Sequence, residues 1–461
     1  MIRLKTELFP WQQEAVNKLG KLRVGALYMD MSTGKTRTAL ELFVMRLNAG
    51  KVDHALWLCP CNTVVGLPSL LDKHAESWRD YITICGIESL SSSLRINSEL
   101  LALTKRERVF LVVDESTLVK NYYAKRTNNI SRIAQNCPYR YILSGTPITR
   151  NESDLFSQWY ILDWRILGYR SFYSFAANHL EYDPDRPGKV RRVLNIDYLS
   201  EKIAPYTFQV KREDCMTLPQ KIYRSKCFYL SEEHDDEYSE VSEKFLIALD
   251  ERRPATIYRL FNACSAMTAG YHLKFFEDSL TYERIYAFSD PEEDPRIQAL
   301  LSALDELPPG KQVVINCKFV DEVTHIMQVL NRRDPGCAIR FDGDISRNQR
   351  KINIRKFENG IQYLVANKNC SQYGLNLQFC HNLVFYDSDW DYATTLQAED
   401  RFQRYGQEHE INIISIVALK TIDEAIQKCL NKKERLLFSF EKELTAATKE
   451  NLRKILKGVI E

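Results

Sequence analysis

Ten short apolar runs, arranged in two series of five, constrain this chain more than any other feature of its 461 residues. The first series lies at 24–29, 55–59, 81–85, 109–113 and 139–143. The second lies at 312–317, 338–341, 363–366, 382–386 and 411–417. These runs are short, rich in β-branched and aromatic residues, and bounded by turn residues or charges, so they read as buried strands. Longer amphipathic stretches separate them, such as 35–47, 346–358 and 392–404. Alternating strand and helix predicts parallel sheets with helices on both faces. The expected fold class is therefore α/β, with one parallel-sheet domain at 1–165 and a second at 291–461. The middle, 166–290, is rich in Tyr, Phe and charge, with helices predicted at 232–248 and 254–268. It reads as a mainly helical insertion, with a linker at 289–295 before the second domain.

Charge and cysteine content narrow the function classes. Lys and Arg number 63 against 61 Asp and Glu, a formal net charge of +2. A global basic field is absent, so any nucleic-acid contact must come from a local cleft. Lys105-Arg106, Arg252-Arg253, Arg332-Arg333 and Lys432-Lys433 are basic pairs that read as solvated surface. No apolar run approaches the roughly 20 residues that span a bilayer, and residues 1–7 lack the pattern of a signal peptide. The 12 cysteines contain no C-x-x-C pair and sit mostly inside apolar runs. They read as buried free thiols in a reducing cytoplasm.

The sharpest local motif is Met29-Asp30-Met31-Ser32-Thr33-Gly34-Lys35-Thr36. It follows a predicted strand and opens a predicted helix, the context of a phosphate-binding loop. Backbone amides of Ser32, Thr33 and Gly34 would face phosphates. Lys35 would neutralise the β- and γ-phosphates, and the Thr36 hydroxyl would ligate Mg2+. The usual first glycine position holds Met29. A second strand ends in Asp114-Glu115. Asp114 would hold Mg2+ through water, and Glu115 would orient and deprotonate an attacking water. Upstream, Gln12 follows Pro10-Trp11, and a Gln amide can pair with both a donor and an acceptor on an adenine edge. A Gln on a helix is equally well satisfied by solvent.

Taken in order, these residues resemble the motifs of superfamily 2 helicases and, within them, the SNF2-like DNA translocases in a compact, phage-like form. Pro10-Trp11-Gln12 resembles the adenine-reading motif, and 30–36 resembles motif I with Ser32 where Gly is usual. Cys59-Pro60 resembles motif Ia. Asp114-Glu115-Ser116-Thr117 with Lys120-Asn121 resembles motif II, and Leu143-Ser144-Gly145-Thr146-Pro147-Ile148 resembles motif III. Lys211-Arg212-Glu213-Asp214 and Leu218-Pro219-Gln220-Lys221 resemble the stretch between the two motor lobes. Gly374-Leu375-Asn376-Leu377 resembles motif V, the stretch 397–407 motif VI, and Thr421-Ile422-Asp423-Glu424 the closing stretch. The family's usual His is replaced by Thr117 in motif II and by Gln403 in motif VI.

The resemblance implies two RecA-like domains with ATP between them. Lys35, Thr36, Asp114 and Glu115 would act from one domain, and Arg401 and Arg404 from the other as arginine fingers, with Gly374 and Gln397 as further nucleotide contacts. Asn62, Thr63, Thr146, Lys318 and Tyr373 would touch the DNA track. ATP and Mg2+ are the implied cofactors. The implied partner is duplex, forked or branched DNA, with no membrane, for a cytoplasmic chain that is monomeric or weakly associating. The implied function is an ATP-dependent DNA helicase or translocase in replication, recombination or repair, extending to branch migration. An RNA helicase and a nucleic-acid-binding protein with a degraded ATP site are the competing readings.

Overall fold

The computed structural model describes residues 2–61, 63–145, 147, 152–184, 190–248, 254–275, 282–368, 377–387, 392–404, 406–431 and 457. The chain divides into two compact units, Met1–Thr217 and Leu218–Glu461.

The first unit contains helix α1 (Pro10–Leu19), strand β1 (Val24–Met29) and helix α2 (Lys35–Asn48). Strands β2 (His54–Cys59), β3 (Ile82–Gly86), β4 (Val109–Val113) and β5 (Tyr139–Ser144) follow, then helix α3 (Asp154–Leu167) and strand β6 (Thr207–Val210). The six strands form one sheet in the order β6-β1-β5-β4-β2-β3, and every adjacent pair is parallel. Side chains alternate between its faces, as the strand period of two requires. Val24, Ala26, Tyr28, Leu56, Leu58, Val109 and Leu111 enter one apolar cluster. Leu27, Met29, Trp57, Phe110 and Val112 enter another on the opposite face. Burial on both faces explains why these strands are continuous apolar runs rather than alternating ones.

The second unit repeats the plan. Strand β7 (Lys221–Phe228) is followed by helices α4 (Glu232–Ala248) and α5 (Pro254–Thr268), then the antiparallel pair β8 (Tyr271–Phe275) and β9 (Tyr282–Tyr286). After α6 (Pro295–Asp305) come β10 (Val313–Cys317), α7 (Val320–Arg333), β11 (Ala338–Phe341), α8 (Arg347–Glu358) and β12 (Tyr363–Asn367). Then follow β13 (Asn382–Phe385), α9 (Tyr392–Glu399), β14 (Ile411–Ala418) and α10 (Ile422–Asn431). Its parallel sheet runs β7-β14-β13-β10-β12-β11. Ile315, Val365, Val384 and Ile416 pack on one face, and Val314, Leu364, Leu383 and Ile413 on the other. A third cluster joins α4, α5 and β8 to α10 through Tyr238, Val241, Leu260, Phe261, Tyr271, Ile422 and Ile426.

The ten anticipated strands are present, each with ends within one residue of expectation. The stretch 166–290 is shared between the units: β6 joins the first sheet and β7 the second. Both are edge strands with polar or exposed alternate positions, which hid them from an apolar-run reading. The anticipated linker at 289–295 instead belongs to the second unit. Pro291 is buried there, and Asp294 caps α6 by accepting a bond from the Arg296 amide at 2.8 Å. Helix α9 stops at Glu399, five residues short of expectation. The Arg401 and Phe402 amides bond carbonyls only three residues back, so the helix tightens into a turn. No helix among the described residues is long and apolar enough to cross a membrane.

Candidate functional site

In an open parallel sheet, loops at the carboxyl ends of the strands form the natural ligand crevice. In the first unit those ends carry Asp30–Gly34 after β1, Asp114 after β4 and Gly145 after β5. The loop after β1 turns tightly. Thr33 donates from its hydroxyl to the Asp30 carbonyl at 2.7 Å. Gly34 holds φ +89° as the residue before α2, a left-handed conformation that suits glycine. Ser32 is also left-handed, at φ +67°, so the family's usual glycine there has a direct conformational reason.

Lys35 opens α2 and folds back over the loop. Its ammonium donates to the carbonyls of Met29 at 2.6 Å and Asp30 at 3.1 Å. A Cβ built on Gly145 would lie 3.6 Å from the Lys35 Nζ, which places the motif III loop against the lysine. The same cation acts on Asp114, whose carboxyl is pushed up to about 6 by burial and then by the Glu115 charge, with Lys35 pulling the other way. The Asp114 carboxylate accepts the Glu115 amide at 3.0 Å. A nearly buried carboxylate held up in this way favours a cation, because binding one removes the desolvation and repulsion together. Below pH 6 that binding displaces a proton. Glu115 sits at φ +49°, an uncommon conformation for a non-glycine residue and one that recurs at functional turns. Thr36, partly buried, lies in the first turn of α2.

Gln12 is turned inward rather than toward solvent. It is buried, its side-chain oxygen accepts the Phe9 amide at 3.0 Å, and its NH2 donates to the Thr33 carbonyl at 3.1 Å. The Trp11 indole donates to the same carbonyl at 2.8 Å. Helix α1 therefore braces the loop after β1, and an adenine edge would have to compete with these bonds. A Cβ at Gly34 would strike the Gln12 amide, so this bracing also fixes glycine at that position.

Gln158 on α3 was not anticipated. It is fully buried and accepts the Ser116 hydroxyl at 2.6 Å. Its NH2 donates to the Pro147 carbonyl at 2.8 Å and to the Asp154 carbonyl at 2.9 Å. One carboxamide thus joins the turn that carries Glu115 to the loop that follows Gly145. A single amide inside the apolar run Leu155-Phe156-Ser157-Gln158-Trp159 was the available signal. Replacing Gln158 by Leu keeps much of the volume but strips partners from Ser116 and Pro147. The expected loss is about 1–3 kcal/mol in the stability of the first unit, read by denaturant melts. Any ATP turnover should fall in kcat more than in KM, because the turn rather than the phosphate loop is released.

In the second unit, Arg401 and Arg404 lie in and just after the turn that ends α9, both partly buried. Burial and then the neighbouring Arg401 lower the Arg404 guanidinium to about 10. Two adjacent cations in a partly desolvated turn are stabilised by an anion such as a phosphate. The turn is held from two sides. Lys221 of β7 bonds Glu399 at 2.7 Å and Asp400 at 3.4 Å, and Tyr223 bonds Glu399 at 2.9 Å. Gln403 donates to the Pro219 carbonyl at 2.7 Å, and the Arg401 carbonyl accepts the Leu377 amide at 3.2 Å. Gln403, standing where the family has His, therefore pins the arginine turn. Gln397 is partly buried on α9, just before it.

Two anticipated DNA contacts sit at carboxyl ends of strands. Thr63 lies in the turn after β2, where its carbonyl accepts the Gly66 and Leu67 amides at 3.0 and 2.9 Å. Lys318 follows β10, with its amide donating to Asp387 at 2.9 Å and its ammonium 5.4 Å from the Phe319 ring centre. Asn62, Thr146, Tyr373 and Gly374 lie outside the described residues.

Two family models match the chain: the SNF2-related domain over residues 5–267, and the helicase conserved C-terminal domain over residues 295–406. An uncharacterized ATP-dependent helicase of Mycoplasma genitalium is 24% identical over 346 residues, which cover 74% of this chain and 31% of that protein. TATA-binding protein-associated factor MOT1 of Saccharomyces cerevisiae is 24% identical over 511 residues, covering 92% of this chain and 27% of that protein. The chain thus spans under a third of the length of these two relatives. Among solved structures, the Sulfolobus solfataricus SWI2/SNF2 ATPase core in complex with dsDNA is 22% identical. That match covers 98% of this chain and 97% of the other, at a TM-score of 0.40.

Proposed function

The chain belongs to the SNF2-related family, and from that premise we propose that it is an ATP-dependent DNA translocase or helicase. It couples ATP hydrolysis to movement on DNA and acts on forked or branched substrates in replication, recombination or repair, including branch migration. The observation that carries this reading is the gathering of Lys35, Asp114, Glu115 and Gly145 at one end of a parallel sheet, beside a loop that opens α2.

Each residue has a part that its chemistry suits. Lys35 and the loop amides bind the phosphates. Thr36 and Asp114 are the oxygen donors that would hold Mg2+, and the raised Asp114 carboxyl fits that role. When bound, the ion neutralises phosphate charge. Glu115 orients and deprotonates the attacking water. Arg404, with Arg401, stabilises charge developing on the transferred phosphoryl group. Nucleic acid is held by hydroxyls, amides and scattered cations such as Thr63 and Lys318, which is compatible with a net charge of +2. The described cysteines are free thiols, which suits a reducing cytoplasm.

Steady-state ATP hydrolysis tests this reading with no nucleic acid, single-stranded DNA, duplex DNA, forked DNA and RNA at one low salt concentration. Duplex or forked DNA should stimulate turnover on the order of tenfold. Stimulation by RNA alone moves the assignment to an RNA helicase. No hydrolysis under any condition overturns the motor and leaves a nucleic-acid-binding protein.

A further inference from the structure

We propose that His234, Glu237 and His272 form a binding site for a borderline divalent transition metal, Zn2+ in the first instance, remote in sequence from every nucleotide motif. His234 and Glu237 stand three residues apart on α4, a spacing that puts both on one helix face. His272 lies on β8 between Tyr271 and Leu273, both of which point into the apolar cluster, so alternation turns His272 the other way. One ligating atom from each of the three residues lies within 4.8 Å of the other two. The two imidazoles stack with ring centres 4.7 Å apart and planes 6° apart.

The surroundings hold these groups next to one another. Glu237 bonds the His272 Nδ1 through one oxygen, and its other oxygen accepts the Leu273 amide at 3.3 Å. His234 Nδ1 is 3.3 Å from the Ser231 hydroxyl, while its Nε2 is buried without a hydrogen-bond partner. A buried imidazole nitrogen with unused capacity is unfavourable in a purely structural pair, and a metal ion would use it.

Two imidazoles and one carboxylate, with water completing four positions, form a donor set for Zn2+ and its neighbours rather than for Mg2+. Metal–ligand bonds of about 2.0–2.1 Å bring tetrahedral donors to roughly 3.4 Å from one another. Reaching that spacing would turn the two stacked rings out of parallel, because a metal lies in the plane of each imidazole that binds it, and would exchange the Glu237–His272 hydrogen bond for two metal bonds. The ion would clamp α4 onto the β8–β9 hairpin. The described side chains of α4 otherwise reach the apolar cluster through Tyr238 and Val241. The site stands independently of the ATPase reading.

The test uses the full chain stripped with a chelator and assayed without nucleotide. Zn2+ is titrated in competition with a chromogenic chelator, and Co2+ serves as a spectroscopic probe. The expected result is one ion per chain and visible d–d bands of four-coordinate Co2+ without thiolate charge-transfer absorption. Zn2+ should also raise the melting temperature. His272→Gln should abolish the bands, and Glu237→Gln should weaken binding about tenfold or more. Both positions are partly exposed, so these variants should fold, whereas His234→Ala would empty a buried position. No binding by the wild-type chain overturns the site. So does equal binding by the wild type and both variants, or a cobalt spectrum dominated by thiolate.

Discussion

Arg296→Ala should destabilise the second unit by about 3–5 kcal/mol, the usual penalty for orphaning buried charges. Arg296 is fully buried. Its guanidinium donates to the Tyr386 carbonyl at 2.5 Å, the Asp387 carboxylate at 3.2 Å and the Thr268 carbonyl at 2.9 Å, and it also bonds Asp423. Burial and then Asp387 push the nearby Glu322 carboxyl well above its ordinary value. One cation thus compensates two buried carboxylates and ties together α5, α6, α10 and the residues that follow β13. Removing it strands Asp387 and Asp423, and a native stability of about 5–15 kcal/mol leaves little margin. Denaturant melts should show an earlier transition for the second unit with the first unit unchanged. Arg296→Met, similar in length, should lose nearly as much, because the penalty lies in the stranded carboxylates. Adding Asp423→Asn should recover part of it. A loss under about 1 kcal/mol from Arg296→Ala would place the charges in water rather than in a buried network.

Arg296 also shows why parts of this chain were not legible in sequence. Its two carboxylate partners lie 91 and 127 positions away, and an Arg after a Pro at a helix start reads as solvated surface. Strands buried on both faces were legible because burial on each face writes a continuous apolar run. The edge strands β6 and β7 were not, because one side of each has no sheet neighbour to demand apolar residues. At the nucleotide loop, local chemistry named Gly34, Lys35 and Asp114 without help from the fold. Gln12 was singled out too, but for contact with a ligand, whereas its bonds go to Phe9 and Thr33. Gln158 escaped because its bond to Ser116 crosses 42 positions. Spacing reveals groups that meet within one loop, and only topology reveals groups that meet across the sheet.

Glu115→Gln should lower kcat by about 10²–10⁴, the usual contribution of a positioned general base, while ATP affinity stays within a few-fold of the wild type. The amide keeps the shape of the carboxylate, and the left-handed turn that presents residue 115 is fixed by groups the substitution does not touch. Those groups are the Ser116–Gln158 bond and the contact of the Glu115 amide with Asp114. Binding should persist because the groups proposed to hold phosphate, Lys35 and the loop before α2, are unchanged. Lys35→Ala should behave differently and lose affinity as well as turnover. That variant removes the cation proposed to bind phosphate and also part of what restrains the raised Asp114 carboxyl. Single-turnover hydrolysis and binding of a fluorescent ATP analogue separate the two behaviours. The pH profile sharpens the distinction. Acidification through about 6 should weaken Mg2+-dependent nucleotide binding in the wild type as Asp114 takes up its proton. In Glu115→Gln that midpoint should shift downward, because the neighbouring charge that helps raise Asp114 is gone. A Glu115→Gln chain that still turns over ATP at near wild-type rates would take the role of base away from Glu115. An unchanged midpoint would mean that burial alone sets the Asp114 carboxyl.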